Sequence, residues 1–319
     1  MSAEARPTTV LAFGGNAISP DGGTGAYEEQ RFHAGEMAAV VADLVAAGHR
    51  TIVTHGNGPQ AGHLAIQQEN AADIVAAQPL HSVVAMTQGQ LGSMVALSLR
   101  ELLPASTPVV VVVSHVRVDR DDPAFQHPTK PIGPHYDEPT ARRLAEERGW
   151  VVAEVGRSRY RRVVASPAPQ DVVELPAIKQ LVAADAVAVV TGGGGIPVVV
   201  NERGGLEPVD AVIDKDRAAQ RLGSTVGAEN LVLLTDVPEV VLDFGTPDQR
   251  PITEMTAAEA TKHLAEGQFP AGSMGPKVEA AVSFLDNGGR LAVITSPGHA
   301  GAALAGEHGT RIVRGSDGG

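Results

Sequence analysis

The sequence contains no cysteine among its 319 residues. Disulfide bonds, cysteine-ligated metal sites and thiol nucleophiles are therefore excluded. Aromatic residues make up only 3% of the chain whereas 43% of it is hydrophobic, so the core must be built from Ala, Val, Leu and Ile. The length predicts either one large α/β unit or about two domains.

Positive charge and long apolar runs are also scarce. The chain has 25 Lys and Arg against 37 Asp and Glu, a net charge of −12. Such a surface repels a polyphosphate backbone, so we expect no nucleic-acid partner, although basic groups in one cleft could still bind a small anion. No apolar run approaches the ~20 residues of a membrane helix, and residues 1–9 lack a secretory signal. We therefore expect a cytoplasmic protein without a membrane partner.

A short β-branched strand, a glycine-rich turn and a helix recur along the chain. Strands are predicted at 10–13, 51–54, 186–190, 231–234 and 291–294. Their continuous apolar runs indicate burial on both faces, which is typical of a mostly parallel sheet covered by helices. Helices are predicted at 28–47, 171–184, 257–266 and 276–287, the last with Pro276 at its first position. The fold class is therefore α/β.

One segment, residues 115–169, does not follow this strand–turn–helix pattern. It is rich in Pro and Arg, and its first part is typical of extended chain and turns. We expect it to leave the sheet as a lid or small subdomain, with an ordinary solvated loop as the alternative.

Glycine-rich turns that follow strands suit anion binding. Without a Cβ the backbone approaches a ligand closely, and the next helix adds the positive end of its dipole. The sequence has no G-x-x-x-x-G-K-[ST] motif and is not a P-loop NTPase. Gly56 to Ala61 fits G-x-G-x-x-A, but no acidic residue follows at the end of a second strand, so a dinucleotide oxidoreductase is disfavoured.

Lysines are few, and three of the five have unusual settings. Lys130 lies between prolines, Lys215 lies between two aspartates, and Lys277 follows a glycine-rich turn at the start of a helix. Phosphoryl transfer requires fixed positive groups around the migrating phosphoryl and little covalent chemistry from the protein. These lysines beside glycine loops favour that chemistry, with Asp216 able to hold lysines in position. An exposed charged patch at 214–216 is the alternative.

Together these residues resemble carbamate kinases, members of the amino acid kinase family, from Val10 to about Val313. The resemblance rests on eight stretches: FGGNA (13–17), THGNGPQ (54–60), PTKPIGP (128–134), RRVV (161–164), GGGGIP (192–197), VIDKD (212–216), LTDV (234–237) and AGSMGPKVEA (271–280). Many amino acid kinases carry a Lys before the first Gly-Gly, whereas this chain has Ala12-Phe13, and Lys130 looks like the replacement.

The resemblance implies reversible phosphoryl transfer between ATP and carbamate, giving ADP and carbamoyl phosphate. It also implies Mg²⁺ bridging the nucleotide phosphates, a homodimer, and use in making ATP during arginine-type catabolism, although residues do not choose the direction. The implied fold is one domain, a three-layer αβα sandwich around a mainly parallel eight-stranded sheet, with a protruding subdomain at about 115–165.

The resemblance also implies roles for individual residues. The catalytic residues would be Lys130, Lys215, Lys277 and Asp216. The carbamoyl and phosphoryl groups would be bound by Gly14, Gly15, Asn16, Gly56, Asn57, Gly58, Gly193 and Gly194. The nucleotide side would be lined by Thr235, Asp236, Val237, Met274 and Gly275.

The sequence departs from the family pattern at His81, His135 and 157–159, which puts substrate detail in question. Two other readings stay open: a kinase of another small carboxylate, and a nucleotide sensor without catalysis. A sensor predicts loss of the catalytic lysines, and all three are present.

Overall fold

The structure is a computed structural model that describes residues 6–14, 17–18, 23–156, 158–270 and 272–315. Gly15, Asn16 and Arg157 lie outside the described residues, so what the sequence predicts for them stays a prediction.

Strands and helices alternate along most of the described chain. The strands are β1 (Thr8–Phe13), β2 (Arg50–His55), β3 (Val109–Val111), β4 (His115–Val118), β5 (Lys130–Tyr136), β6 (Val152–Glu154), β7 (Tyr160–Val164), β8 (Pro169–Val172), β9 (Val187–Val189), β10 (Ile196–Val200), β11 (Leu206–Pro208), β12 (Asn230–Leu234), β13 (Val240–Leu242), β14 (Arg250–Ile252), β15 (Glu254–Thr256), β16 (Leu291–Thr295) and β17 (Thr310–Val313). The helices are α1 (Tyr27–Ala46), α2 (Gly58–Asn70), α3 (Leu80–Leu102), α4 (Glu138–Arg148), α5 (Leu175–Ala183), α6 (Lys215–Val226), α7 (Ala257–Ala265), α8 (Met274–Asp286) and α9 (Ala300–Ala305).

The five strands predicted from apolar runs correspond to β1, β2, β9, β12 and β16, and α1 and α7 match two predicted helices closely. Two helix predictions were wrong at their starts. The helix predicted from residue 171 begins at Leu175, because 169–172 pair with β4 as strand β8. The helix predicted from Pro276 begins at Met274, and Pro276 is tolerated as its third residue because N–H groups of a first turn lack helical partners.

The large sheet has the strand order β15-β17-β16-β12-β1-β2-β9-β3. The strands from β16 to β3 in that order are parallel to their neighbours, and β17 is antiparallel to β16. The predicted eight-stranded, mainly parallel sheet is confirmed. Because carboxyl ends of parallel strands share one edge, the turns after β1, β2, β9 and β12 are brought together there.

The core lies on both faces of this sheet. Along β1, Val10 and Ala12 pack into one apolar cluster with residues of α5, α6 and α8, whereas Leu11 and Phe13 pack into another with residues of α1, α3 and α9. This alternation follows from the two-residue period of a strand and produces three layers. No helix in the described ranges is long and apolar enough to cross a membrane.

Two smaller sheets lie in the middle of the chain. β4 joins the four-stranded sheet β11-β10-β4-β8, and β5, β7 and β6 form a three-stranded sheet in that order. We call residues 130–164, which hold this second sheet and α4, the hairpin region. The predicted limits of an inserted subdomain, 115–165, stay a prediction.

Candidate active site

A cavity of about 320 Å³ lies at the carboxyl edge of the large sheet, and we call it the catalytic cavity. Its lining combines the turns after β1, β2, β9 and β12 with the starts of α6 and α8 and part of the hairpin region. It brings together most of the described residues that the sequence singles out: Gly14, Gly56, Asn57, Gly58, Lys130, Gly193, Lys215, Asp216, Thr235, Asp236 and Lys277.

Asp216 binds two of the three lysines. Lys215 and Asp216 are the first residues of α6, and Lys277 lies in the first turn of α8. The Lys215 Nζ donates to Asp216 Oδ1 at 2.7 Å, and the Lys277 Nζ donates to Asp216 Oδ2 at 2.9 Å. One carboxylate, only 4% exposed, therefore fixes both ammonium groups. This geometry agrees with the organising role predicted for Asp216.

Burial and charge act against each other in this cluster. Burial by itself would raise the pKa of Asp216, but the charges of Lys215 and Lys277 lower it, so the carboxylate is ionised. Burial also disfavours a charged Lys215, but the attraction of Asp216 outweighs burial and raises the Lys215 pKa. For Lys277, burial and the neighbouring Lys215 charge lower the pKa. With both lysines protonated, the three groups carry one net positive charge.

Lys130 enters the cavity from the hairpin region and has a different partner. Its Nζ donates to Asp214 Oδ2 at 3.0 Å. Asp214 is also the N-cap of α6, where its side chain accepts from the backbone N–H groups of Asp216 and Arg217. Burial would raise the Asp214 pKa, but the charge and hydrogen bond of Lys130 and the charge of Lys215 lower it to about 2. Asp214 therefore links the hairpin region to the start of α6.

The glycine turns permit close backbone approach. A Cβ on Gly193, whose φ is +67°, would lie 2.2 Å from the Asn57 side-chain nitrogen, so only glycine fits without displacing that amide. The Asn57 Nδ2 is held by a 2.9 Å hydrogen bond to the Thr87 hydroxyl. At Gly14, by contrast, a Cβ would meet the Leu234 carbonyl oxygen at 3.5 Å, an ordinary van der Waals distance. Adjacent strands thus place their turns within reach of one small ligand.

Two charged residues of the cavity were missed by sequence reasoning. Asp214 was treated only as part of a charged patch, although an aspartate before the first helical residue is a capping signal. Arg161 belongs to a quoted motif but received no role. It lines the cavity, its Nε donates to the Gly133 carbonyl at 3.0 Å, and burial lowers its pKa.

The predicted nucleotide-side residues divide into two groups. Thr235 and Asp236 line the cavity, whereas Val237, Met274 and Gly275 do not. Val237 is 40% exposed, and Met274 packs against the apolar core. Gly194, predicted to bind the phosphoryl group, also lies outside the lining, and a Cβ on it would lie 2.2 Å from the Ile213 carbonyl oxygen. The nucleotide contacts of Val237, Met274 and Gly275 and the phosphoryl contact of Gly194 stay predictions.

Two of the departures from the family pattern are histidines, His81 and His135. His81 Nδ1 is 3.0 Å from Asp210 Oδ1, near the start of α3. His135 is exposed on β5, and slight burial and the charges of Arg161 and Arg159 lower its pKa. Neither histidine lines the cavity.

Comparison with known proteins places the chain in a family. The model of the amino acid kinase family matches residues 7–296. A carbamate kinase of Thermococcus kodakarensis is 43% identical over 311 residues, covering 96% of this chain and 98% of the relative. A carbamate kinase of Halobacterium salinarum is 45% identical over 309 residues, with 96% and 98% covered.

A solved structure agrees with the sequence relatives. Carbamate kinase from Giardia lamblia bound to AMP-PNP superposes with a TM-score of 0.90 at 37% identity, covering 98% of this chain and 99% of that one. Sequence, fold and the converging lysines point the same way: the chain belongs to the amino acid kinase family, among the carbamate kinases.

Proposed function

We propose that the protein catalyses reversible phosphoryl transfer between ATP and carbamate, giving ADP and carbamoyl phosphate. The observation that carries the proposal is the convergence of Lys130, Lys215 and Lys277, from distant parts of the chain, on one cavity lined by glycine turns. Full-length relatives that are carbamate kinases support the same activity.

The reaction needs positive charge and alignment more than acid–base chemistry. In the direction of ATP synthesis, a β-phosphate oxygen of ADP bonds to phosphorus while the bond between phosphorus and the carbamate oxygen breaks. The electron pair leaves with carbamate, whose negative charge is delocalised over two oxygens, so carbamate takes no proton. Lys215 and Lys277 would stabilise the charge on the phosphoryl oxygens in transit, with Asp216 holding both.

Lys130 would act at the other end of the transferred group. It enters from the hairpin region, so its ammonium would contact the carbamoyl phosphate oxygens between Gly14 and Gly56 and the lysine pair. Its ion pair with Asp214 holds the Lys130 ammonium in the cavity. The substrate anion would attract that ammonium away from Asp214. The cavity volume of about 320 Å³ favours a small acceptor over a long one.

The residues of the cavity fit Mg²⁺ that arrives with the nucleotide. Asp214 and Asp216 are engaged by lysines, so oxygen ligands would come mainly from nucleotide phosphates and water, with Asp236 as the remaining carboxylate of the lining. When bound, Mg²⁺ neutralises phosphate charge and fixes the phosphate geometry. Thr235 and Asp236 would face the nucleotide.

Two further parts of the proposal rest on the family resemblance: a homodimer, and use of the reaction to make ATP in arginine-type catabolism. A cytoplasmic location is expected because no apolar run in the sequence approaches the ~20 residues of a membrane helix. The net charge of −12 supports the expectation that nucleic acid is not a partner. Light scattering at several protein concentrations would measure the oligomeric state.

The first experiment measures ATP formation from ADP, Mg²⁺ and carbamoyl phosphate by the purified protein. Lys215→Ala is the loss-of-function variant, and Lys179→Ala is its matched control because Lys179 is exposed on α5. We expect ATP formation that collapses with Lys215→Ala and persists with Lys179→Ala. Absence of ATP formation by a folded protein that binds ADP would overturn the proposal, and would favour another small carboxylate or a sensor.

A further inference from the structure

A second cavity, of about 460 Å³, lies across β7 from the catalytic cavity. Arg161 lines the catalytic cavity and Arg162 lines the second one, since successive side chains of a strand point to opposite faces. The rest of the lining includes Arg148, Trp150 and the start of α3 at Leu80. None of the proposed catalytic lysines contributes to it.

Two guanidinium groups flank one indole in this second cavity. The Cζ of Arg148 is 5.3 Å from the centre of the Trp150 ring, and the Cζ of Arg162 is 4.9 Å from it. These distances are those of cation–π contacts, which hold both arginines beside the same ring. Both arginines also line the cavity, so a small molecule bound there can contact both side chains.

Two acidic groups lie near these arginines, and each also has another hydrogen-bond partner. Glu69 Oε2 accepts from the Tyr136 hydroxyl at 3.3 Å and lies 3.8 Å from Arg148 Nη1. Asp210 lines the cavity and is the hydrogen-bond partner of His81. Burial lowers the pKa of Arg162, and the charges of Asp210 and Glu69 act in the opposite direction. Within the part of the chain that the structure describes, the Arg162 guanidinium has neither a hydrogen-bond acceptor nor a carboxylate in ion-pair contact. Arg162 is thus a half-buried cation, and a bound anion could accept hydrogen bonds from its guanidinium N–H groups.

The rest of the lining includes the N-terminus of a helix, which carries a partial positive charge, and a wall of apolar side chains. α3, a helix of 23 residues, begins at Leu80 without a side-chain cap, so its first turn directs the positive end of its dipole towards the cavity. Leu80 and Val163 are buried, and Phe125 packs against the core beside them. A bare inorganic ion would leave this apolar wall without a contact.

We propose that the second cavity binds a small organic anion. Its carboxylate or phosphate group would bridge Arg148 and Arg162, and its aliphatic part would lie against Leu80, Phe125 and Val163. Bidentate contacts of this kind are those that guanidinium groups make with carboxylates and phosphates. This proposal does not rest on the reaction proposed for the catalytic cavity, although Leu80 lines both cavities.

The test uses the fluorescence of Trp150, the only tryptophan in the sequence. The full chain is titrated separately with butyl phosphate and with butyrate, which distinguishes a phosphate from a carboxylate ligand, and calorimetry measures binding independently. We expect saturable quenching with at least one of the two. Arg162→Gln should weaken binding about tenfold or more, since it removes a charge-assisted hydrogen bond.

Two control variants locate the signal. Arg159→Gln removes the same charge from an exposed position of the hairpin region, and Lys215→Ala weakens anion binding in the catalytic cavity. Both should keep the quenching and its affinity. The proposal is overturned if neither probe binds, if Arg162→Gln binds as tightly as the unmodified chain, or if Lys215→Ala abolishes the quenching.

Discussion

The two sides of the catalytic cavity hold their lysines in different ways. On the sheet side, Lys215 and Lys277 share Asp216, and their side chains are 16% and 10% exposed. On the hairpin side, Lys130 is 39% exposed and is paired only with Asp214, according to the described residues. The sheet side is therefore a buried cluster fixed by two helix starts, whereas the hairpin side reaches in from a separate small sheet.

This difference indicates a division of work. A buried cation in a fixed position suits transition-state stabilisation, because it does not reorganise as charge develops. A more exposed cation on a hairpin can follow a substrate as it enters and leaves. We therefore expect changes on the sheet side to affect kcat and stability, and changes on the hairpin side to affect substrate affinity.

The largest effect is expected from Asp216→Ala. The change leaves two ammonium groups without their counter-charge, one of them on a lysine that is 8% exposed, and should lower the free energy of unfolding by about 3–5 kcal/mol. Urea unfolding measures the loss. Asp73→Ala, in an exposed turn, is the control and should change stability by less than about 0.5 kcal/mol. A similar loss for both variants would contradict a central role for Asp216.

Lys215→Ala and Lys130→Ala compare the two sides directly. Lys215→Ala should lower kcat about 10²–10³-fold, the usual cost of removing one donor to a developing oxyanion. Lys130→Ala should raise KM for carbamoyl phosphate more than it lowers kcat. Steady-state kinetics of ATP formation separates the two parameters. If both variants change kcat and KM in the same proportion, the proposed difference in role between the two sides of the cavity is wrong.

The Asp214–Lys130 link predicts a pH dependence. A carboxyl group whose pKa is lower in the folded chain adds stability above its unfolded pKa, and that stability is lost as pH falls through the folded value. For Asp214 these values are about 3.9 and about 2, so about 2 kcal/mol should be lost between about pH 5 and pH 2.

Acid unfolding of Asp214→Asn measures this contribution. The variant should show a shallower loss of stability over that interval than the unmodified chain, while Asp73→Asn should follow the unmodified chain. Parallel curves for Asp214→Asn and the unmodified chain would show that the ion pair adds no stability.

The smallest effect is expected from Arg161→Gln. Arg161 lines the cavity from the hairpin side, so its loss should raise KM for carbamoyl phosphate about tenfold and change kcat less. Arg159→Gln is the matched control on the same hairpin. An effect on kcat alone would assign Arg161 to the chemical step rather than to binding.

Much of the fold was predictable because its signals are local. Apolar runs indicated the central strands, and the turn glycines marked where they end. The helix wrongly predicted to start at residue 171 shows the limit of such local signals. Residues 169–172 form a strand only because they pair with β4, which lies more than 50 residues away in the chain.

Residues of the cavity could be predicted where their neighbours in the sequence are unusual. Lys130 between prolines and Lys215 between aspartates were identified from the sequence and lie in the cavity. The sequence did not indicate that Asp214 would pair with Lys130, because that contact spans 84 residues. Val237 and Met274 belong to matching motifs but do not line the cavity, since a motif does not specify the direction of each side chain.

The order of strands in the large sheet has a consequence for folding. β1 pairs with β2 on one side and with β12 on the other, where Asn230 bonds Thr9 across 221 positions of the chain. Such non-local pairing is slow, because the entropy of loop closure is lost before the contacts form. During synthesis, β1 therefore cannot pair with β12 until residue 230 has been made, and Lys277 is made later still. A nascent chain can complete the lining of the catalytic cavity only after Lys277 has left the ribosome.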